Sequence, residues 1–451
     1  MKQIDFDHGT VTGNILGVAL PMLVAQILSL LYNIVDRIYI ARIPSVGTTA
    51  LGAVGLCFPI IVIITAFSNL FGSGGAPLFS INRGKGNIKK AEVIMNTSFS
   101  MLCICGVALM VIGMLFASSI LVLFGASEEG LSYAYPYMMI YLIGTVPSMI
   151  ATGMNPFINA QGYATSGMLS VTIGAVANLI LDPLFIFAFH WGIKGAAWAT
   201  VLGQVVSGVM ILIYFWKFSK MQLTRHHLMP HMKYLGEITA LGMASGINQV
   251  AMAIIQITMN NILRKYGAVS DYGADIPIAC AGIISKVNMI FMSIGIGISQ
   301  GCQPIFGFNY GAEKFDRVRE TYKKAAWAAI ISGIVFFACF QIFPRQIIAL
   351  FGGGNETYYR FAERYFRIFM FMTFINGIQP MSSGFFTSIG KAKLGMIVSL
   401  TRQILFLLPL ILILPVFMGI DGVMYAGPIA DLAAAVITIW FVFRQFQDMK
   451  Q

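Results

Sequence analysis

Apolar stretches long enough to cross a bilayer follow one another almost without pause from residue 15 to residue 446. A spanning helix needs about 20 such residues to cover a hydrocarbon layer of about 30 Å. About twelve segments qualify, at 15–41, 51–80, 93–117, 133–158, 164–188, 196–217, 238–263, 277–308, 321–343, 359–388, 394–417 and 422–446. Inside hydrocarbon each backbone N–H and C=O must find its partner within the chain, so long apolar spans are helices. The sequence therefore predicts an all-α polytopic membrane protein with twelve transmembrane helices. No loop between them is long enough for an independent soluble domain. Only 10% of the residues are charged, whereas a soluble chain carries about 25%.

A net charge of +11 could suggest a nucleic-acid partner, but its distribution argues against one. The basic residues gather in short loops after the second, sixth and eighth spans. The first loop holds Arg83, Lys85, Lys89 and Lys90; the second Lys217, Lys220, Arg225 and Lys233; the third Lys314, Arg317, Arg319, Lys323 and Lys324. With both termini on that same side, roughly 18 Lys/Arg face roughly 9 on the other, which is the bias of cytoplasmic loops. Both ends are expected to be cytoplasmic, in a multi-pass protein of the bacterial cytoplasmic membrane. The acidic loops with Glu128 and Glu129, and with Asp271 and Asp275, are expected outside. The first segment is too long for a cleaved signal and lacks a small-residue cleavage site, so it reads as a span. All six cysteines, Cys57, Cys103, Cys105, Cys280, Cys302 and Cys339, fall in apolar spans and read as small buried hydrophobes.

The chain repeats itself at a spacing of about 227 residues, six spans with their loops. GGAPLFSINRGKGNIKKAE aligns with GCQPIFGFNYGAEKFDRVRE, so that Pro77 meets Pro304, Asn82 meets Asn309 and Gly84 meets Gly311. LVLFGAS aligns with IALFGGG, GIKGAAWAT with GIDGVMYAG, and AQGYATSGM with SIGKAKLGM after a slip of one residue. Gln26 meets Gln249 at a slightly shorter offset. Each copy holds an even number of spans, so the copies run parallel, related by an axis along the membrane normal. This predicts an N-lobe at 1–216, a cytoplasmic linker at 217–237 and a C-lobe at 238–451, with a substrate cavity between lobes that rock to alternate access. His226, His227 and His231 in the linker read as solvated residues rather than metal ligands.

Two carboxylates interrupt the apolar spans of the first half: Asp36, with Asn33 nearby, and Asp182, with Asn178. Each costs on the order of 3 kcal/mol or more in hydrocarbon by insertion scales. Asn178 and Asp182 are four apart and share a helix face. Pro183 follows and removes a backbone donor, freeing a carbonyl on that turn. With Thr200 on the sixth span, these groups form a donor set for a hard cation or a proton. The competing reading is a buried hydrogen-bond cluster that ties spans 1, 5 and 6 together. Pro21, about four turns before Asp36, is expected to kink the first helix, as a static bend or one that straightens with the charge state of Asp36. In the second half the counterparts of the two acids fall near Met259 and near Leu408 or Leu410. Ion coupling is therefore expected in the N-lobe.

These residues resemble the MATE (multidrug and toxic compound extrusion) transporters, closest to the branch of the MepA-type and DinF-like bacterial pumps. The resemblance covers nearly the whole chain. It is carried by LGVALPMLVAQILSLLYNIVDRIYIAR, GMNPFINAQGYATSGMLSV, NLILDPLFIF, GIKGAAWATVLGQ and QGCQPIFGFNYGA, which are specific together and weak singly. It implies two six-helix lobes in a V shape that expel organic cations against a sodium or proton gradient. It places the family's N-lobe cation site on Asp36, Asn178, Asp182 and Thr200, its helix bend on Pro21, and a position lining the same lobe's cavity on Asn155. NorM-like members also carry acids on the seventh and tenth helices. This chain has Gln256, Asn260 and Asn376 in those spans and no acid, which puts C-lobe coupling in doubt.

The second half has charges of its own in or near apolar runs: Lys286, Arg402 and Asp431. Through the repeat, Arg402 falls about one turn before the Asn178 counterpart and Asp431 about one turn after that of Thr200. An unpaired charge at that depth is heavily penalised, so the two are expected to pair, with Lys286 joining them or snorkelling. The chain has 27 Met and 35 Phe, soft side chains that suit a binder of varied ligands. Tyr32, Asn33, Tyr137, Asn155, Gln256, Asn260, Met289 and Met292 are the expected cavity residues, with Met154 and Phe157 beside them. For any single one of the apolar and aromatic residues, lipid- or core-facing packing is the competing reading.

The expected function is secondary antiport, exporting amphipathic drugs and dyes in exchange for H+ or Na+, with no cofactor, no catalysis and a monomer sufficient. The alternative is a flippase for lipid-linked sugars or lipids, which wants a strongly basic cavity. A major-facilitator carrier shares the parallel six-plus-six plan, and RGKGNIKK faintly resembles that family's basic loop, but the required neighbouring acid is missing. No GxxxxGK[ST] occurs, which argues against an ATP-driven pump. A channel suits the kinked, repeated halves less well than a carrier.

Overall fold

The structure is a computed structural model. It describes residues 3–44, 46–219, 221, 223, 230–273, 275–350 and 356–449, and every regular element among them is a helix. The chain divides into two compact units, Met1–Gly246 and Ile247–Gln451. The first contains α1 (Val11–Ala41), α2 (Gly47–Gly84), α3 (Ile88–Leu123), α4 (Glu128–Ile143), α5 (Thr145–Ala160), α6 (Ala164–Pro183) and α7 (Gly192–Ile213). The boundary at Gly246 falls inside α8 (Met232–Ala268). The second unit continues with α9 (Asp275–Gly311), α10 (Phe315–Ile342), α11 (Pro344–Ala349), α12 (Glu356–Phe369), α13 (Thr373–Asn376) and α14 (Ile378–Ser388). It closes with α15 (Ala392–Leu400), α16 (Leu408–Met418) and α17 (Ile420–Asp448). Among the described residues, π-helical turns extend this set at Leu184–Ala188, Tyr214–Phe218 and Thr401–Leu407.

Ten helical stretches among the described residues are long and apolar enough to cross a membrane. The pair α4–α5, bent by 55° at Gly144, makes eleven if it is one span. Gly144 is needed there, because a Cβ would stand 2.7 Å from Gln204 Oε1 and 3.0 Å from Val201 Cγ2 of the crossing α7. The segment 359–388, read from sequence as one span, is instead divided among α12, α13 and α14. Arg360, Glu363, Arg364 and Arg367 give its first part a charged face, and Gly377 and Pro380 follow the break. Along α1 a stripe of Leu16, Leu20, Ile27, Leu31 and Ile34 stays exposed.

Local geometry repeats along with the sequence. Asn82 and Asn309 each donate from Nδ2 to the carbonyl four residues back, Leu78 at 2.7 Å and Ile305 at 2.9 Å. Their own carbonyls accept from Asn87 and Lys314, both at 2.9 Å. The turn residue is left-handed both times, Gly86 at φ +74° and Glu313 at φ +58°. In the two cores Phe79 meets Phe157 edge-on at 5.5 Å, and Phe306 meets Phe385 edge-on at 5.2 Å. Asn155 Nδ2 donates to the Gly167 carbonyl at 2.9 Å where Ser383 Oγ donates to that of Gly395 at 2.9 Å.

Candidate functional site

α6 presents Asn178 and Asp182 from consecutive turns of one face. Both are buried, at 3% and 0% exposure. Directly after Asp182, Pro183 lacks the N–H that would close the next α-helical bond, and the chain passes into the π-helical turn Leu184–Ala188. α7 brings Thr200 against the same face. With its amide turned to satisfy both neighbours, Asn178 donates to Asp182 Oδ2 at 3.2 Å and accepts from the Thr200 backbone N–H at 3.1 Å. The opposite orientation gives two weaker contacts of 3.5 Å, to Asp182 Oδ1 and Thr200 Oγ1.

α1 adds Asp36, whose carboxyl lies within hydrogen-bonding reach of the Asp182 carboxyl. Its Oδ1 is buried and has no hydrogen-bond partner. Tyr32, one turn earlier, lies near Asp36, Asp182 and Tyr141, and Tyr137 lies near Asp36 and Tyr32. Tyr137 and Tyr141 stack at 6.3 Å with an interplanar angle of 15°, and Gln204 Nε2 donates to the Tyr141 hydroxyl at 3.3 Å. Two carboxyls in contact cannot both stay charged and unneutralised. Arg37, next to Asp36, is exposed. The cluster thus has room in its charge balance for one proton or one small cation, and Asp36 Oδ1, Asp182 and Thr200 Oγ1 are hard oxygen donors suited to either. Among the described residues no three His, Cys, Asp or Glu side chains converge to hold a metal ion. All six cysteines are free thiols.

The other residues singled out from sequence fall into different surroundings. Asn33 is exposed; it donates to the Ser29 carbonyl at 2.6 Å and meets the Tyr32 side chain beside the carboxyl cluster. Asn155 is buried between α5 and α6, its amide committed to Gly167. Met154 and Phe157 are fully buried in the first unit's core. In the second unit Gln256 and Asn260 are exposed and bond to each other at 3.1 Å. Met289 and Lys286 are exposed, and Met292 is half-buried. Asn376 is buried with its Oδ1 unpartnered. Arg402 Nε meets Asp431 Oδ1, with the two side chains 7% and 3% exposed. Pro21 lies inside an uninterrupted α1, where it leaves the Gly17 carbonyl without its helical donor. His231 donates its backbone N–H to Thr97 Oγ1 at 3.3 Å, while His226 and His227 lie outside the described residues. Tyr141 and Gln204 join the site without having been singled out. The i, i+4 relation of Thr200 and Gln204 on α7 was the available signal.

A family model described as MatE matches the chain twice, at residues 21–184 and 245–413, once in each half. The multidrug export protein MepA of Staphylococcus haemolyticus (strain JCSC1435) is 24% identical over 445 residues, covering 97% of this chain and 94% of that protein. Among solved structures, the outward-facing conformation of a multidrug resistance MATE family transporter of the MOP superfamily superposes with a TM-score of 0.91 at 21% identity, covering 100% and 99% of the two chains. A MOP superfamily transporter from Pyrococcus furiosus Vc1, whose reversed pocket polarity suggests a different function for it, gives a TM-score of 0.90 at 21% identity, covering 100% of each chain. With two family matches spanning both halves and a full-length likeness in fold, the chain belongs to the MatE family of multi-pass membrane transporters.

Proposed function

We propose that the protein is a secondary-active multidrug exporter that exchanges amphipathic organic cations for H+ or Na+ by alternating access. The observation that carries this reading is the contact between the half-buried Asp36 and the buried Asp182, beside buried Asn178 and half-buried Thr200. Bare, the pair is electrostatically costly in a membrane; a proton or sodium ion relieves that cost. Cation occupancy is thereby tied to the packing of α1 against α6 and α7. The relative from Staphylococcus haemolyticus, named for multidrug export, supports the substrate class. In this reading twelve spans cross the membrane, α12–α14 together forming one, and both termini are cytoplasmic. Pro21 provides the bend through which α1 responds to the charge at Asp36. Ethidium transport in everted vesicles under imposed pH or sodium gradients, with Asp182→Asn as control, tests the proposal.

A second reading, a flippase for anionic lipid-linked substrates, draws on the exposed Arg360 and Arg367 of α12 and Lys286 of α9. It predicts headgroup-dependent lipid scrambling by the purified protein and no response to Asp182→Asn.

A further inference from the structure

Below the carboxyl cluster the same face of α6 carries a second group of buried polar residues. Four-residue steps along the helix lead from Asp182 through Asn178 and Gly174 to Ser170. Ser170 Oγ donates to the Gly167 carbonyl at 2.8 Å and accepts from Asn155 Nδ2 at 3.4 Å. Asn159 Nδ2 donates to Asn155 Oδ1 at 3.1 Å and contacts the Met22 sulfur at 3.1 Å, on the residue after Pro21. From α7, Ser207 Oγ donates to the Ser170 carbonyl at 2.9 Å. Asn155, Asn159, Ser170 and Ser207 are 8%, 3%, 2% and 9% exposed.

One acceptor in this group is left over. Asn159 Oδ1 is buried with no hydrogen-bond partner. Turning the amide does not help, because the oxygen would then face Asn155 Oδ1 and the Met22 sulfur, neither of which donates. Asn159 Oδ1 and Asn155 Oδ1 both crowd the bare Cα of Gly167, standing 2.7 Å and 2.9 Å from where its Cβ would be. Asn155 Oδ1 already accepts from Asn159 Nδ2, so Asn159 Oδ1 is the oxygen there that lacks a donor. An orphaned acceptor in such a place costs about 1–3 kcal/mol. The upper and lower groups are separated by a close crossing of α6 and α7 at two glycines. Gly174 and Gly203 face each other there, and a Cβ on Gly203 would stand 2.8 Å from the Gly174 carbonyl oxygen. From Asn178 to Ser170 is about 12 Å along the helix.

We propose that Asn155, Asn159, Ser170 and the Gly167 carbonyl form a neutral transit site for the coupling cation, between the carboxyl cluster and the end of the first unit where α5 and α6 join. Uncharged oxygens hold a hard cation more weakly than carboxylates do, as a relay requires. The glycine crossing keeps the two positions from merging into one wet channel. Asn159 also touches Met22, so occupancy of the lower site bears on α1 beside Pro21. This inference rests on cation-coupled export as proposed above.

The test uses the full chain in proteoliposomes, with ethidium as substrate and either a pH or a sodium gradient as driving force. Asn159→Leu removes the oxygen at similar size, and Asn159→Asp keeps it and adds charge. Asn159→Leu is expected to slow gradient-driven transport about tenfold or more, matching the loss of one hydrogen bond to a charged group. Equilibrium ethidium binding should stay close to wild type, and the melting temperature should fall only modestly, because the leucine also strands Asn155 Oδ1. Asn159→Asp should lower the half-saturating concentration of whichever cation drives transport, and this reading stands even if the leucine variant fails to fold. Wild-type transport by Asn159→Leu, or an unchanged half-saturation in Asn159→Asp, overturns the transit site alone. Loss of binding and stability in step with transport assigns Asn159 a purely structural role and likewise overturns it. A wild-type protein that ignores both gradients instead removes the coupled-export reading, and the transit site with it.

Discussion

Arg402, on the π-helical stretch before α16, is paired with Asp431 of α17 at a place where the first unit has Gly174 and Gln204. In the first unit the equivalent helices touch through glycine, Gly174 against Gly203. The second unit fills that crossing with a buried ion pair. Among the described residues no buried base pairs with Asp36 or Asp182, whereas Asp431 is paired with Arg402. That difference fits a division of labour in which the first unit changes its ionic state and the second does not.

If the pair is a fixed structural element, breaking it from one side should be far worse than removing it altogether. Arg402→Met and Asp431→Leu singly are each expected to destabilise by about 3–5 kcal/mol, because each strands a buried charge, while the double apolar variant recovers much of that loss. Thermal unfolding of the four proteins in detergent measures this as a double-mutant cycle. Additive single effects would mean that the two residues do not act together.

The glycine crossing of the first unit makes a separate prediction. A Cβ at Gly174 collides with Ser207 Oγ, so Gly174→Ala is expected to destabilise by about 1–3 kcal/mol through overpacking. Ser207→Gly in the same chain removes the colliding hydroxyl but not the Gly203 carbonyl oxygen 2.7 Å away, so it should restore only part of the loss. Melting temperatures of the single and double variants decide it, and a Gly174→Ala protein as stable as wild type would show that α6 and α7 pack less closely than described.

Pro21→Ala restores the missing donor to the Gly17 carbonyl and is expected to stiffen α1. If bending of α1 accompanies transport, the variant binds ethidium normally and transports it about tenfold more slowly, a loss of about 1.4 kcal/mol in the rate-limiting step. Comparing initial transport rate with equilibrium binding separates the two effects. An unaltered rate would make the proline a static kink.

Much of the upper site can be read from residue chemistry alone. Asp36 and Asp182 stand out because charge inside an apolar span is rare, and the four-residue step brings Asn178 to Asp182. Thr200 follows from its place on the next span. The lower group gave no such signal. Ser170 and Ser207 are ordinary in membrane helices, where hydroxyls often bond back to their own backbone. Only burial and the stranded oxygen of Asn159 set that group apart. Helix continuity was legible where spans are uniformly apolar. It was not legible over 359–388, where an apolar average conceals the charged face of α12 and the breaks around Thr373 and Gly377. Nor does composition reveal that Asn155, aligned with a cavity position, commits its amide to Gly167.

The central claim is that Asp36 and Asp182 together bind the ion that drives export. Ethidium transport into everted membrane vesicles, started by an imposed pH or sodium gradient, tests it most directly when wild type is compared with Asp36→Asn and Asp182→Asn at equal membrane content. The account predicts gradient-driven transport by wild type and a loss of about a hundredfold or more in each variant, since each removes one carboxylate from a site that needs both. Wild-type transport by the Asp182→Asn protein under the same gradient would contradict it.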